Sequence, residues 1–141
     1  MIDKKFEKML LRFINKINIE YKIKFAYLFG SRARGEEKNT SDIDLGICFN
    51  ENYSEIEETF IRGNIIEEGR AFFGIPVDIV FLNKASLSLK YEIVKDGVVL
   101  KDSDERSFFE SIVLREYFDF KYYADIYNQA IVDSIKKGTY F

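Results

Sequence analysis

The chain of 141 residues contains no histidine, and this absence narrows the chemistry that it could perform. Without histidine there is no Ser-His or Cys-His nucleophile pair, no histidine metal ligand and no histidine proton shuttle. Any reaction must therefore run on carboxylates, lysine, tyrosine, serine or a metal ion held by oxygen atoms.

Other features are scarce, and each scarcity excludes a class of protein. The single cysteine, Cys48, cannot form an intrachain disulfide, which fits a reducing, cytoplasmic location and predicts a small buried side chain. No apolar run approaches the roughly 18 residues of a membrane span, and the charged first twenty residues contain no secretory signal. The net charge of −3, with acids and bases interspersed, argues against direct nucleic-acid binding and leaves a local basic patch open.

The hydrophobic pattern predicts one folded domain over residues 1–141. Hydrophobic residues make up 47% of the chain, and the elements follow the order α-β-α-β-α-β-α-β-α. This order predicts an α/β or α+β domain, in which helices flank a small mixed sheet. The core is expected over about residues 20–102. Helices are predicted over residues 4–18, 31–35, 54–72, 86–97 and 103–137, and strands over residues 22–30, 42–49, 75–82 and 98–100.

Several residues mark the expected ends of these elements. Asp3 is predicted to cap the first helix, and Ser54 with Glu57 forms a capping-box signature. Gly97 is predicted to end its helix in the left-handed conformation. Residues 36–41 are predicted to form a polar loop. The pattern of the last helix is compatible with either one continuous helix or a helix with a break.

Two aspartates open the second predicted strand. Asp42 and Asp44 flank Ile43, and residues two apart on a strand face the same side. Two like charges repel each other there, unless a divalent cation lies between them. A third carboxylate, Asp78, stands in the apolar stretch PVDIVFL. Three carboxylates from two adjacent strands could hold two magnesium ions, as in phosphoryl or nucleotidyl transfer.

A glycine–serine pair follows the first predicted strand. Gly30 would let the backbone approach a ligand closely, and the helix start at Ser31 offers free N–H groups for a phosphate. Arg32 and Arg34 could neutralise a polyphosphate. No P-loop sequence is present.

Each of these features also has a purely structural interpretation. The Gly-Ser pair could be an ordinary turn, and Asp42 with Asp44 a strand-edge or capping pair. Asp78 could be a buried acid paired with a lysine, and the two arginines could be solvated charges. The combination is more specific: a strand, Gly-Ser, ten residues, an Asp-x-Asp pair at a second strand, and an acid in a third.

The stretch GSRARGEEKNTSDIDLGI resembles the G-S-x(10)-D-x-D signature of the DNA polymerase beta-like nucleotidyltransferase superfamily. In length and flanking residues it resembles the minimal nucleotidyltransferase (MNT) branch. The resemblance spans about Lys24 to Leu100, and the segments YEIVKDGVVLKD and LREYFDFKYYADIY also resemble this branch. It implies a nucleotidyltransferase fold with a C-terminal helical segment.

The resemblance also implies roles for the motif residues. Gly30 and Ser31 would hold the β- and γ-phosphates of the nucleotide, and Asp42 and Asp44 would ligate magnesium. Asp78 would complete the metal site and help to deprotonate the attacking hydroxyl. Two further residues of the motif, Arg32 and Arg34, are expected to contact phosphate.

Several MNT proteins are antitoxins that pair with a HEPN ribonuclease toxin, and the activity described for the family is transfer of AMP from ATP to a tyrosine of that toxin. A histidine-free chain cannot carry the R-x4-6-H motif of HEPN ribonucleases, which fits two separate proteins. The C-terminal helix carries two apolar stripes, one of which could bind a partner while the other covers the sheet; alternatively, both form one wide core face. The first stripe comprises Phe109, Val113, Tyr117, Phe120, Ala124, Tyr127 and Ile131, and the second Phe118, Tyr122 and Ile126.

Four functions compete at this point. The first is an antitoxin that adenylylates its partner toxin in a hetero-oligomer. The second is a small-molecule nucleotidyltransferase of the aminoglycoside-modifying type, although little chain remains to build an acceptor pocket. The third, an RNA-tailing enzyme, would need a basic track and further domains. The fourth is an antitoxin that neutralises by binding alone.

Overall fold

The computed structural model describes residues 2–36 and 42–138, in which helices and strands alternate around one sheet. Residues 37–41, most of the predicted polar loop, lie outside the described residues. The elements are α1 (Lys4–Glu20), β1 (Ile23–Phe29), β2 (Ile43–Phe49), α2 (Glu55–Phe73), β3 (Val77–Phe81), a 3₁₀ helix (Leu82–Lys84), α3 (Leu87–Asp96), β4 (Val98–Lys101) and α4 (Asp104–Lys136).

The four strands form a mixed sheet in the order β3-β2-β1-β4, which confirms the predicted sheet type. β1 pairs antiparallel with both β2 and β4, whereas β2 pairs parallel with β3. A parallel pair needs a crossover connection, and α2 supplies it between β2 and β3. β3 stands last in the strand order and is therefore an edge strand.

The sheet has a buried core on each face. Because strand side chains alternate, Ile43 and Leu45 face the core beneath α1 and α2, where Leu10 and Phe13 are fully buried. The opposite face carries a smaller core, covered by α3 and the beginning of α4. Its buried members are Phe25, Tyr27, Cys48, Leu82 and Ile93, so the predicted burial of Cys48 is confirmed.

Three local predictions about helix ends meet different outcomes. The capping box of α2 is confirmed, since the Glu57 backbone N–H donates to Ser54 Oγ at 3.2 Å and the Ser54 N–H to Glu57 Oε1 at 3.1 Å. Asp3 stands at the start of α1, but its side chain makes no capping hydrogen bond. Gly97 is extended (φ −72°, ψ 152°) rather than left-handed, because the chain continues at once into β4.

The predicted helix over residues 31–35 is instead a turn. The N–H groups of Ala33 and Arg34 both donate to the Gly30 carbonyl, at 3.1 and 3.2 Å, and residues 31–35 form turns rather than a regular helix. The motif therefore presents a compact backbone turn directly after β1.

α4 is one unbroken helix of 33 residues, of which only the first part packs on the sheet. Val113 is its one fully buried residue, so the predicted coverage of the sheet by a whole stripe is wrong beyond this point. Large exposed side chains follow: Phe118, Phe120, Tyr122, Tyr123, Ile126 and Tyr127. No helix in the described part of the chain is long and apolar enough to span a membrane.

A polar network fixes the start of α4 to the sheet. The buried Tyr27 hydroxyl donates to Glu110 Oε1 at 2.6 Å, and Arg106 donates to Glu110 at 2.7 Å and to Asp102 at 2.6 Å. The pKa of Tyr27 is raised well above its ordinary value. Burial is the largest cause, and the neighbouring carboxylate of Glu110 is the next. The phenol therefore stays neutral and keeps its proton for this hydrogen bond.

Replacing Tyr27 by phenylalanine should lower the free energy of unfolding by about 1 kcal/mol, since one buried hydrogen bond is lost while Arg106 still pairs with Glu110. Urea denaturation measures this change. Tyr123→Phe is the matched control, because the Tyr123 side chain is exposed and should lose nothing. Equal stability of both variants would contradict a role of the Tyr27 hydroxyl in anchoring α4.

Candidate active site

The motif residues meet at one end of the sheet, where β1 ends and β2 and β3 begin. In the strand register Phe29 lies opposite Asp44, and Asp44 lies opposite Asp78. Gly30 follows Phe29 directly. The sheet therefore brings the Gly-Ser turn and the two strand aspartates together, although they are far apart in sequence.

The Gly30 backbone lies against the Asp44 carboxylate. Gly30 has a left-handed conformation (φ 79°), and a Cβ atom built on it would stand 2.5 Å from Asp44 Oδ2. Any side chain at this position would collide with the carboxylate. Only glycine therefore allows the turn and the acid to approach this closely.

The Asp44 carboxylate is partly buried beside other negative charges. Desolvation raises its pKa, and so do the charges of Asp42 and Asp78, while the Arg34 guanidinium lowers it. Asp42 itself is exposed and stands one residue before β2. Asp44 therefore lies close enough to both of the other predicted acids for their charges to act on it.

Asp78 is exposed, unlike the buried acid that its apolar surroundings in the sequence suggested. Its side chain is 56% exposed, near the start of the edge strand β3. Its partner is not a lysine but Arg62 of α2, whose Nη1 lies 3.4 Å from Asp78 Oδ1. No sequence pattern indicated Arg62, since only the crossover of α2 brings it to β3.

The two arginines of the turn diverge. Arg34 Nε lies 3.1 Å from Glu36, and its Nη1 lies 3.4 Å from Glu92 of α3. The Arg32 guanidinium lies 5.2 Å from the ring centroid of Phe6, on the side of α1. The Arg34 guanidinium is close enough to the acids to lower the pKa of Asp44.

The donor set suits a magnesium ion that arrives with a nucleotide. In the described residues no three histidine, cysteine or acidic side chains are gathered closely enough to hold a metal ion by themselves. Magnesium commonly takes only one or two carboxylates and completes its shell with phosphate oxygens and water. Desolvation and, after it, the charges of Asp42 and Asp78 raise the pKa of Asp44, and a bound cation would offset both causes, so these residues fit the ion.

A surface cavity of about 550 Å³ lies elsewhere, between α1 and α2. Lys16, Asn64 and Phe72 are among its lining residues, and none of the motif residues lines it. The motif instead lies at the end of the sheet, where backbone N–H groups could hold phosphates. The chemistry of the side chains, rather than cavity size, identifies this end of the sheet as the candidate site.

The contact between Gly30 and Asp44 can be tested by comparing two glycine-to-alanine variants. Gly74 has nearly the same conformation (φ 74°), but a Cβ atom added there would have no neighbour within 4 Å. Each alanine should cost about 1–2 kcal/mol of unfolding free energy for the left-handed backbone. Gly30→Ala should cost more and should also weaken AMP-PNP binding, whereas Gly74→Ala should bind normally in calorimetry. If Gly30→Ala and Gly74→Ala were equally stable and bound AMP-PNP equally well, the close approach of Gly30 to Asp44 would be contradicted.

The electrostatic cost of Asp44 gives a pH-dependent prediction. A carboxyl whose pKa is raised by folding destabilises the protein above that pKa, and the penalty fades as the pH falls and it becomes protonated. Without divalent ions, Asp44→Asn should therefore melt at a higher temperature than the wild type at neutral pH, with the difference shrinking on acidification. Asp125→Asn, on the exposed part of α4, is the control. A lower melting temperature for Asp44→Asn at neutral pH would refute the repulsion.

Comparison with known proteins agrees with this geometry. Residues 12–106 match the family described as polymerase beta, nucleotidyltransferase. A Methanocaldococcus jannaschii protein named "Putative protein adenylyltransferase MJ1379" is 40% identical over 75 residues, which cover 52% of this chain and 72% of that protein.

Two solved structures share the fold. A chain of the crystal structure of a toxin–antitoxin with AMP-PNP has a TM-score of 0.69 and 24% identity, covering 89% of this chain and 98% of that chain. A chain of the structure of the tri-AMPylated Shewanella oneidensis HEPN toxin in complex with MNT antitoxin has a TM-score of 0.66 and 22% identity, covering 92% and 98%. Because the family match includes the Gly-Ser turn and all three aspartates, this chain belongs to the polymerase beta nucleotidyltransferase family.

Proposed function

We propose that this nucleotidyltransferase is an antitoxin that transfers AMP from ATP to a tyrosine of a partner HEPN ribonuclease toxin. The observation that carries the proposal is the placement of Asp44 between the Gly30 backbone and Asp78. A phosphate-binding turn and a carboxylate pair on neighbouring strands are what transfer of a nucleotide requires. A cytoplasmic location belongs to the same proposal.

The turn residues would bind the triphosphate. Gly30 and Ser31 would hold the β- and γ-phosphates through backbone N–H groups and the Ser31 hydroxyl, with no side chain at Gly30 to obstruct them. Arg34 would add a positive charge on the acid side of the turn. Arg32 is assigned a phosphate contact as well, which would require its guanidinium to leave Phe6.

The aspartates would organise the reacting end of the nucleotide. Asp42, Asp44 and Asp78 would hold magnesium, which when bound supplies positive charge to the phosphates and to the attacking oxygen. The tyrosine oxygen would form a bond to the α-phosphorus, and the bond from that phosphorus to the pyrophosphate oxygen would break. The phenol proton would pass to Asp78, and pyrophosphate would leave.

Two comparisons and one feature of the structure support a protein acceptor. The relative from Methanocaldococcus jannaschii bears an adenylyltransferase name, and the similar Shewanella oneidensis complex contains an AMPylated HEPN toxin. In addition, the second half of α4 exposes aromatic side chains, such as Phe118 and Tyr122, that do not pack on the sheet. Exposed apolar surface of this kind is typical of an interaction site.

The same exposed helix also supports the second candidate, an antitoxin that neutralises by binding alone. Such a protein would use α4 to bind its partner but would not need Asp42, Asp44 and Asp78. A small-molecule acceptor receives less support, since the named relative and the AMPylated toxin of the similar complex both favour a protein acceptor. The two antitoxin functions are distinguished by substituting the acids.

We expect the partner toxin, incubated with this chain, ATP and magnesium, to gain the mass of one or more AMP units. The toxin to test first is the product of the neighbouring gene, and intact-mass spectrometry measures the change. Tandem fragmentation should locate the AMP on a tyrosine. Omitting magnesium or adding a chelator should abolish the transfer.

The control is the double variant Asp42→Ala plus Asp44→Ala, which should bind the toxin in co-purification without modifying it. Tight binding by the wild type with no mass gain would favour neutralisation by binding. Neither binding nor a mass gain would overturn the antitoxin proposal and favour small-molecule acceptors instead.

A further inference from the structure

Arg62 lies at the free edge of β3, although it belongs to α2 on the other face of the sheet. Its Nη1 donates to the Ile79 carbonyl at 2.8 Å and approaches Asp78 Oδ1 at 3.4 Å. Its guanidinium also lies 5.7 Å from the ring centroid of Phe81. The side chain therefore reaches around the edge of the sheet to the carboxylate on the opposite face.

These contacts restrain the guanidinium more than a lone surface ion pair would. The Ile79 carbonyl faces outward from an edge strand, where no neighbouring strand can donate to it, so Arg62 takes that place. The Phe81 ring adds a cation–π contact. An isolated exposed pair with Asp78 would contribute little, but here the backbone carbonyl fixes the donor first.

The contacts of Asp78 are divided unequally between its two oxygens. Oδ1 accepts the backbone N–H of Ile79 at 2.8 Å and faces Arg62. In the described part of the chain both of these contacts go to Oδ1, which leaves Oδ2 available to a ligand. An aspartate whose side chain is 56% exposed would otherwise sample several rotamers, and two donors on one oxygen select among them.

We propose that Arg62 is a positioning residue that holds Asp78 by Oδ1 and so leaves Oδ2 set to bind the metal–nucleotide complex. The inference rests on the proposed function, because it assumes that Asp78 is a metal ligand. Partners that orient a ligand in this way typically change metal affinity roughly 10- to 100-fold when they are removed. The geometry of the guanidinium matters for this role, and its charge alone does not suffice.

The test uses the full chain with AMP-PNP, and Mn²⁺ in place of magnesium, so that binding is measured by electron paramagnetic resonance without turnover. Arg62→Lys keeps the charge but loses the planar donor group, and Arg62→Met keeps an apolar stem over Phe81 without charge. Both variants should weaken Mn²⁺ binding about tenfold. Arg70→Met, an exposed position on the same helix, should bind as the wild type does.

Two further readouts separate positioning from a general loss of structure. The melting temperature without ligand should fall by only a few degrees in the Arg62 variants, since each loses the hydrogen bond to the Ile79 carbonyl, and binding is measured well below it. In the transfer assay the magnesium concentration for half-maximal rate should rise, while the rate at saturating magnesium should stay close to that of the wild type. A variant that is merely destabilised would lose rate at every magnesium concentration and would not show this separation.

Three outcomes with the Arg62 variants would overturn the proposal on its own. Unchanged Mn²⁺ affinity in both Arg62 variants would show that Asp78 needs no positioning. Tighter binding by Arg62→Met would show that the guanidinium competes with the ion. Normal binding by Arg62→Lys alone would show that charge, rather than donor geometry, is sufficient. Failure of the wild type to bind Mn²⁺ would instead overturn the proposed function, and this inference with it.

Discussion

The parallel pairing of β2 with β3 is the constraint on which the site depends. Its register sets Asp44 beside Asp78 and, on the opposite face, Ile43 beside Val77 in the core. A shift by one residue would turn the acids into the core and the apolar side chains outward. Burial of the apolar residues therefore fixes the position of the acids, and the stability of the sheet and the geometry of the site share one cause.

The cost of this arrangement is electrostatic. Asp44 is partly desolvated near two other carboxylates, and its pKa is raised accordingly. Two arginines from different elements bear on the group: Arg34 from the turn and Arg62 from α2, the latter in contact with Asp78. Neither offsets the raised pKa of Asp44, which a cation at the proposed site would lower. This end of the sheet is therefore less stable than an apolar alternative would be.

α3 connects the site to the helix proposed to bind a partner. Glu92 of α3 lies 3.4 Å from Arg34 in the motif turn. One residue earlier, Tyr91 stacks on Tyr117 of α4, with ring centroids 3.6 Å apart. A run of exposed aromatic side chains begins directly after this stack, at Phe118. α3 thus contacts both the Gly-Ser turn and the residue before this run, and the proposed modification of a partner requires the two to be close.

Elements with local signals could be predicted from the order of the amino acids alone. The hydrophobic pattern predicted all four strands and the long last helix, Ser54 and Glu57 predicted their capping box, and the motif spacing selected Gly30 and the aspartates. Three features arose only from tertiary contacts: the strand order, the exposure of Asp78 and its pairing with Arg62. Tertiary structure also made Gly97 extended, because β4 must pair with β1 immediately afterwards, and ended the packing of α4 after its first turns. Such features depend on contacts between residues distant in sequence, which spacing and propensity do not encode.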